Sequence, residues 1–356
     1  MILEGKIMSL YFNSSMCVEI EKEQDFINRH NELKLCMNAI SRGDKIIIFG
    51  ERGVGKTALL FQIKKKILSQ SCDILPIYIS FGGYCINQET DSCITFMLIN
   101  LVGYVWKNIL GLNLSALYDE EEKVFDSELE AQVKRIYKLA RLCTCEYNKS
   151  LKRSFEANLI LKGTADKITE KNFGYSTLTN QELYGLFSEL CEDLKRYCGI
   201  NSLVFFCDEA NVLKEDIQIR IEKELKSLFS YLSCSFVYVE SISVSPEHHR
   251  DYSMYFDQAL KLNGFSKVEY SKKLIKKRIF DKNMISIDEN VYKIVHECAC
   301  GNPRFLISIM EKIISKKVGY GENEKIHINE NDAKSGCLDF ETEQEYYAKL
   351  TERIIN

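Results

Sequence analysis

Gly50-Glu51-Arg52-Gly53-Val54-Gly55-Lys56-Thr57 carries every fixed position of the pattern G-x-x-x-x-G-K-[ST], a phosphate-binding loop. Each fixed position has its own physical task. The glycines let the backbone curl, so that successive N–H groups face one concavity and hold phosphate oxygens. Lys56 is placed to reach the β- and γ-phosphates, and Thr57 offers a hydroxyl to Mg²⁺. The helix that follows, through Ala58, points its positive end at the anion.

The flanks support this reading. Lys45-Ile46-Ile47-Ile48-Phe49 is a short, β-branched, apolar run, as a buried parallel strand reads. After the loop, Ala58-Leu59-Leu60-Phe61-Gln62-Ile63 and Lys64-Lys65-Lys66-Ile67-Leu68 place apolar residues at helical spacing among lysines. Strand, loop and helix are the setting the motif requires.

The 356 residues allow a core domain of roughly 250 residues and a smaller second one. Hydrophobic content of 46% and charged content of 28% are those of a soluble globular protein. A net charge of -4 gives no global attraction to nucleic acid, so any such contact needs a local basic patch. The 14 cysteines are scattered, with no C-x-x-C. Cys143/Cys145 and Cys298/Cys300 are C-x-C pairs without a partner at zinc spacing, and His248-His249 stands alone. Scattered thiols fit a reducing cytosol, so a cytoplasmic location is expected. No signal peptide is read. The most apolar stretch, Ile94 to Trp106, is too short to span a bilayer and reads as a buried helix; no membrane association is expected.

Along the chain, residues 1–25 form an unplaced N-terminal segment. Phe26 to Leu33 leads into a helical pattern over Lys34 to Ile40 that ends near Ser41 to Asp44, and Ile74 to Phe81 reads as a second strand. Residues 88–150 are mostly helical by periodicity, and Asn158-Leu159-Ile160-Leu161 fits a short strand. The region 88–178 is longer than a crossover needs and reads as an insertion with its own surface. Thr179 and Glu182 form a capping box opening a helix that runs to about Tyr197. Leu203 to Cys207 is a third strand, Ser235 to Ser241 a fourth, and Ala259 to Leu262 a short fifth. A helix covers Ile219 to Leu232. Strands alternating with helices predict a parallel α/β sheet. Beyond Ser266 only helical patterns appear, at 266–280, 288–299 and 303–317. In Lys272 to Arg278, Leu274 and Ile275 mark a buried stripe under a solvated basic face; a nucleic-acid or acidic-partner surface stays open there.

The third strand ends in Asp208-Glu209. A metal-dependent nucleotide hydrolase needs such a pair beside its phosphate loop: Asp208 to hold Mg²⁺ through water, Glu209 to polarise the attacking water.

With these elements quoted, the chain resembles the AAA+/STAND-type P-loop ATPases, in particular the archaeal ATPases and Orc/Cdc6-like families. Phe26-Ile27-Asn28-Arg29 with Glu32-Leu33 resembles the motif that precedes their phosphate loop, although Asn28 and His30 stand where Gly and Glu are usual. Gly301-Asn302-Pro303-Arg304 resembles the sensor-2 segment of their lid, and is equally a helix start with Pro at its first position. The resemblance implies a P-loop domain over 26–265, a small all-helical lid over 266–320 and a C-terminal tail over 321–356. ATP and Mg²⁺ would sit between domain and lid. Arg29 would join the loop, including Glu51, Arg52, Val54 and Ala58, in holding nucleotide. Pro303 would pack near the adenine and Arg304 reach toward the γ-phosphate. Ser241 would serve as sensor 1 and Arg250 as an arginine finger on a neighbouring subunit. A homo-oligomer that passes its output to a separate partner protein follows, in DNA transactions or a bacterial defence complex. The alternative is an ATP-gated scaffold that does not turn over. The forty or so residues after the lid are too few for a winged helix, and no N-K-x-D guanine motif occurs.

Overall fold

The computed structural model describes residues 27–70, 73–81, 92–117, 127–144, 178–209, 215–241, 255–279, 284–318 and 325–355. The chain divides into two compact units. One, the sheet unit, comprises Lys34–Phe49 and Ile63–Leu260; the other, the loop-bearing unit, comprises the chain up to Leu33, Gly50–Gln62 and everything from Lys261.

The sheet unit is built on β1 (Lys45–Gly50), β2 (Ile74–Ser80), β3 (Ser202–Asp208), β4 (Ser235–Ser241) and β5 (Gln258–Lys261). They form one parallel five-stranded sheet in the order β2-β3-β4-β1-β5, flanked by helices. Position in the sheet follows from sequence. β3 is apolar from Leu203 to Cys207 and buried along its length after Ser202, as a strand covered on both faces must be. β2 contains Pro76, which cannot donate to a ladder, and lies at one edge. β5 is short and largely exposed, and lies at the other edge.

The flanking helices are α1 (His30–Ser41), α2 (Lys56–Gln70), α3 (Cys93–Tyr104), α4 (Leu114–Leu117), α5 (Glu128–Thr144), α6 (Asn180–Cys198) and α7 (Glu215–Phe229). α3 continues into a π-helical turn over Val105–Ile109. The expected capping box opens α6: Thr179 accepts from the Glu182 backbone N–H, and the Glu182 carboxylate accepts from the Thr179 N–H. Gly199, left-handed at φ 63, closes it. The core stacks aromatic rings across the sheet, with Phe205 and Phe236 at 4.9 Å between centroids and Phe187 and Phe205 at 5.3 Å. The Ile94 to Trp106 stretch is buried as expected, and Trp106 Nε1 donates to Asn113 O at 2.9 Å. The segment 88–178, set apart above as an insertion, contributes α3 and α5 to this same core. Asn158 to Leu161 lies outside the described residues.

The loop-bearing unit has a core of its own, formed by α8 (Val268–Arg278), α9 (Glu289–Cys298), α10 (Pro303–Lys317) and α11 (Glu330–Ile355). It also holds two three-residue strands, β6 (Ile285–Ile287) and β7 (Ile326–Ile328), paired in parallel with Ile285 opposite Ile326. Strands this short carry too little alternation to be read from periodicity. Residues 321–356, expected as a tail, supply β7 and α11; Ala333, Cys337 and Phe340 enter the core beside Ile309, Met310 and Ile313. Lys312 pairs with Glu343 at 2.5 Å and Lys317 with Asp332 at 2.8 Å. On α8, Leu274 and Ile275 are buried while Lys273, Lys276 and Lys277 face solvent. Among the described residues no helix is long and apolar enough to cross a membrane.

Candidate functional site

The loop follows β1 at Gly50 and ends where α2 begins at Lys56. Its shape depends on two glycines in particular. Gly53 has φ 91 and a Cβ there would stand 2.5 Å from Arg304 Cβ and 2.9 Å from Asn302 Oδ1. Gly50 passes so close to the Leu262 carbonyl that a side chain has no room. Gly55 also has positive φ, 99.

Side chains hold the loop's carbonyls. Lys56 is 7% exposed, and its Nζ donates to Gly50 O at 2.7 Å and Glu51 O at 2.9 Å. Arg29, also 7% exposed, donates to Val54 O at 3.2 Å and to Asn263 O, pairs with Glu32 at 3.0 Å and lies 5.6 Å from the Phe265 ring centroid. Asn302, 1% exposed, donates from Nδ2 to Arg52 O at 3.0 Å, while its Oδ1 accepts the Arg304 N–H at 3.1 Å and so caps α10. Pro303 is the first residue of α10 and Arg304 the second. The loop and the Gly301-to-Arg304 segment, quoted separately from sequence, are therefore in direct contact within one unit. Thr57 and Ala58 lie in the first turn of α2, with Thr57 exposed.

In the same unit a cavity of about 410 Å³ is lined by Ile27, Asn28, His30, Tyr270, Lys273 and Lys277.

The sheet unit carries the carboxylates. Asp208, the last residue of β3, is 1% exposed. Its Oδ1 accepts the Glu209 N–H at 2.8 Å and its Oδ2 accepts the Tyr78 hydroxyl at 3.2 Å. Glu209 is exposed, at φ 64, and accepts a hydrogen bond from the Ser80 hydroxyl. The register explains the pairing. β2 and β3 run parallel with Ser80 opposite Asp208, and Tyr78, two residues earlier, shares the Ser80 face. Burial, followed by the charges of Asp208 and Glu209, pushes the Tyr78 phenol far above its ordinary range, so it remains a donor. Burial likewise raises the Cys207 thiol and keeps it protonated.

Ser241 is the last residue of β4, the strand between β3 and β1. Arg250 lies outside the described residues. Sequence reasoning did not single out Tyr78 or Ser80, and it quoted Asn302 without assigning it a role. The available signals were a hydroxyl at the exit of a neighbouring strand, and an Asn before Pro at a helix start.

No family model and no curated protein matches the chain. Among solved structures, it is similar to Aeropyrum pernix Orc1 in complex with DNA, at TM-score 0.48 and 12% identity, over 93% of this chain and 70% of that one. It is also similar to a single-substitution variant of Thermotoga maritima RuvB, at TM-score 0.38 and 12% identity, over 87% and 69%. Such distant likenesses leave the assignment to the observed sheet order and loop: in fold, the chain is a P-loop α/β protein with a mainly helical C-terminal region.

Proposed function

We propose that the chain is an AAA+/STAND-like, Mg²⁺-dependent ATPase that uses ATP as a switch for self-association and for engaging a separate partner protein. The carrying observation is the loop itself. Its carbonyls are occupied by Lys56, Asn302 and Arg29, which suits a backbone whose N–H groups serve an anion.

Mg²⁺ takes one or two protein oxygens and leaves the rest to phosphate and water, and a carboxylate and a hydroxyl are donors of that kind. Asp208 and Thr57 are the residues that would hold it. When bound, the ion neutralises charge on the phosphates. Glu209 would accept the proton of the attacking water as the new P–O bond forms and the bridging bond to ADP breaks. Arg304, on the helix whose cap touches the loop, would stabilise the charge that develops. Ser241 and Arg250 would complete the site as sensor and as a finger from a neighbouring subunit. The cellular setting, DNA transactions or a bacterial defence complex, belongs to this reading through the resemblance alone.

A second reading is an ATP-gated scaffold with negligible turnover. The bond from Ser80 to Glu209 favours it, because it ties up a carboxylate oxygen. Phosphate release and particle mass separate the two. Under the first, Glu209→Gln retains ATP binding and traps an ATP-bound assembly, with turnover lower by roughly a hundredfold to ten-thousandfold. Tight ATP binding without hydrolysis by the unmodified chain, alone or with partners, selects the second.

A further inference from the structure

In a trans peptide unit the C=O of one residue and the N–H of the next lie in one plane and point to opposite sides. Whatever holds the carbonyl of Arg52 therefore sets the direction of the Gly53 N–H. Whatever holds the carbonyl of Val54 sets that of Gly55. Asn302 Nδ2 holds the first at 3.0 Å and Arg29 Nη2 the second at 3.2 Å. Both are buried side chains, 1% and 7% exposed, arriving from opposite ends of the sequence. Both glycines have positive φ, 91 and 99, in backbone that samples many orientations when unrestrained.

We propose that Arg29 and Asn302 are positioning residues that preset the loop: they hold two carbonyls outward so that the Gly53 and Gly55 amides face the polyphosphate. Arg29 thus acts on nucleotide through the peptide units and not by touching it. Asn302 has a further consequence. Its Oδ1 caps α10 at Arg304, so one side-chain amide fixes both a loop peptide and the helix start that carries the cationic group. The inference rests on the loop being an ATP site, and it adds which residues make that site rigid.

Asn302→Ser separates the two roles of Asn302. Serine is as good a helix cap as asparagine, but it has no donor that reaches Arg52 O. Titration calorimetry of the full chain should show ATP and inorganic tripolyphosphate binding weakened roughly threefold to tenfold, the net worth of one hydrogen bond. Adenosine binding should not change, and the melting midpoint should fall by no more than a few degrees, as for loss of one hydrogen bond. Arg29→Lys keeps the buried charge but not the fork that spans Val54 O and Asn263 O, so it should weaken ATP and tripolyphosphate binding by a similar factor, whereas a role of charge alone would be preserved. If the unmodified chain does not bind ATP, the proposed function fails. If it does, and Asn302→Ser binds ATP and tripolyphosphate equally well, the positioning role is overturned. Should Asn302→Ser not fold, Arg29→Lys decides: wild-type affinity for ATP and tripolyphosphate overturns the proposal.

Discussion

The Gly50-to-Lys56 loop and the Asp208-Glu209 corner both follow the end of a strand, yet they are held in opposite ways. In the loop the side chains of Arg29, Lys56 and Asn302 all bond to backbone carbonyls. Under the proposed function the working surface there is the peptide chain, and these side chains are its supports. At the corner the proposed functional groups are the carboxylates themselves, and they accept from two hydroxyls, Tyr78 and Ser80, on one face of one neighbouring strand. A disturbance in the loop shifts several donors together, because they share one backbone. A disturbance at the corner changes one oxygen of one carboxylate.

That contrast can be broken at three places. Lys56→Ala removes both the cation and its bonds to Gly50 O and Glu51 O. Nucleotide affinity should fall on the order of a hundredfold or more, as for loss of a preorganised charged donor. An equilibrium binding assay showing no loss would remove the loop from the site altogether. Gly53→Ala comes next. The added methyl meets Arg304 Cβ at 2.5 Å, in backbone at φ 91. Strain of about 1–3 kcal/mol should weaken ATP binding roughly tenfold to a hundredfold. Unaltered affinity would mean that the contact with α10 is not part of the binding-competent loop. The smallest effect is expected from Tyr78→Phe, which deletes one hydrogen bond to Asp208. The Mg²⁺ concentration for half-maximal turnover should rise about threefold to tenfold, while Mg²⁺-free nucleotide affinity stays put. A loss as large as that of Gly53→Ala would show that the corner, too, acts as a shared scaffold.

The legible parts of the molecule were those whose chemistry is local in the chain. The run Ile46-Ile47-Ile48 before Gly50, the capping box at Thr179 and Glu182, and the apolar strand ending in Asp208-Glu209 each depend on neighbours within a few residues, and the structure reproduces them. Two short strands were missed because three residues hold barely one period of alternation. Residues 321–356 were set aside as a tail, although Ala333, Cys337 and Phe340 mark the stripe that α11 buries.

The chain alone supplies the expectation of which residues meet phosphate and metal, because glycines, a lysine, a threonine and a carboxylate pair stand at the spacings that chemistry uses. What holds them in place could not be read. Asn302 meets Arg52 across 250 positions and Tyr78 meets Asp208 across 130. A hydrogen bond between residues so far apart leaves no periodicity and no spacing rule behind it. It exists only once the packing of α10 on the loop, and of β2 on β3, has brought donor and acceptor within 3.2 Å.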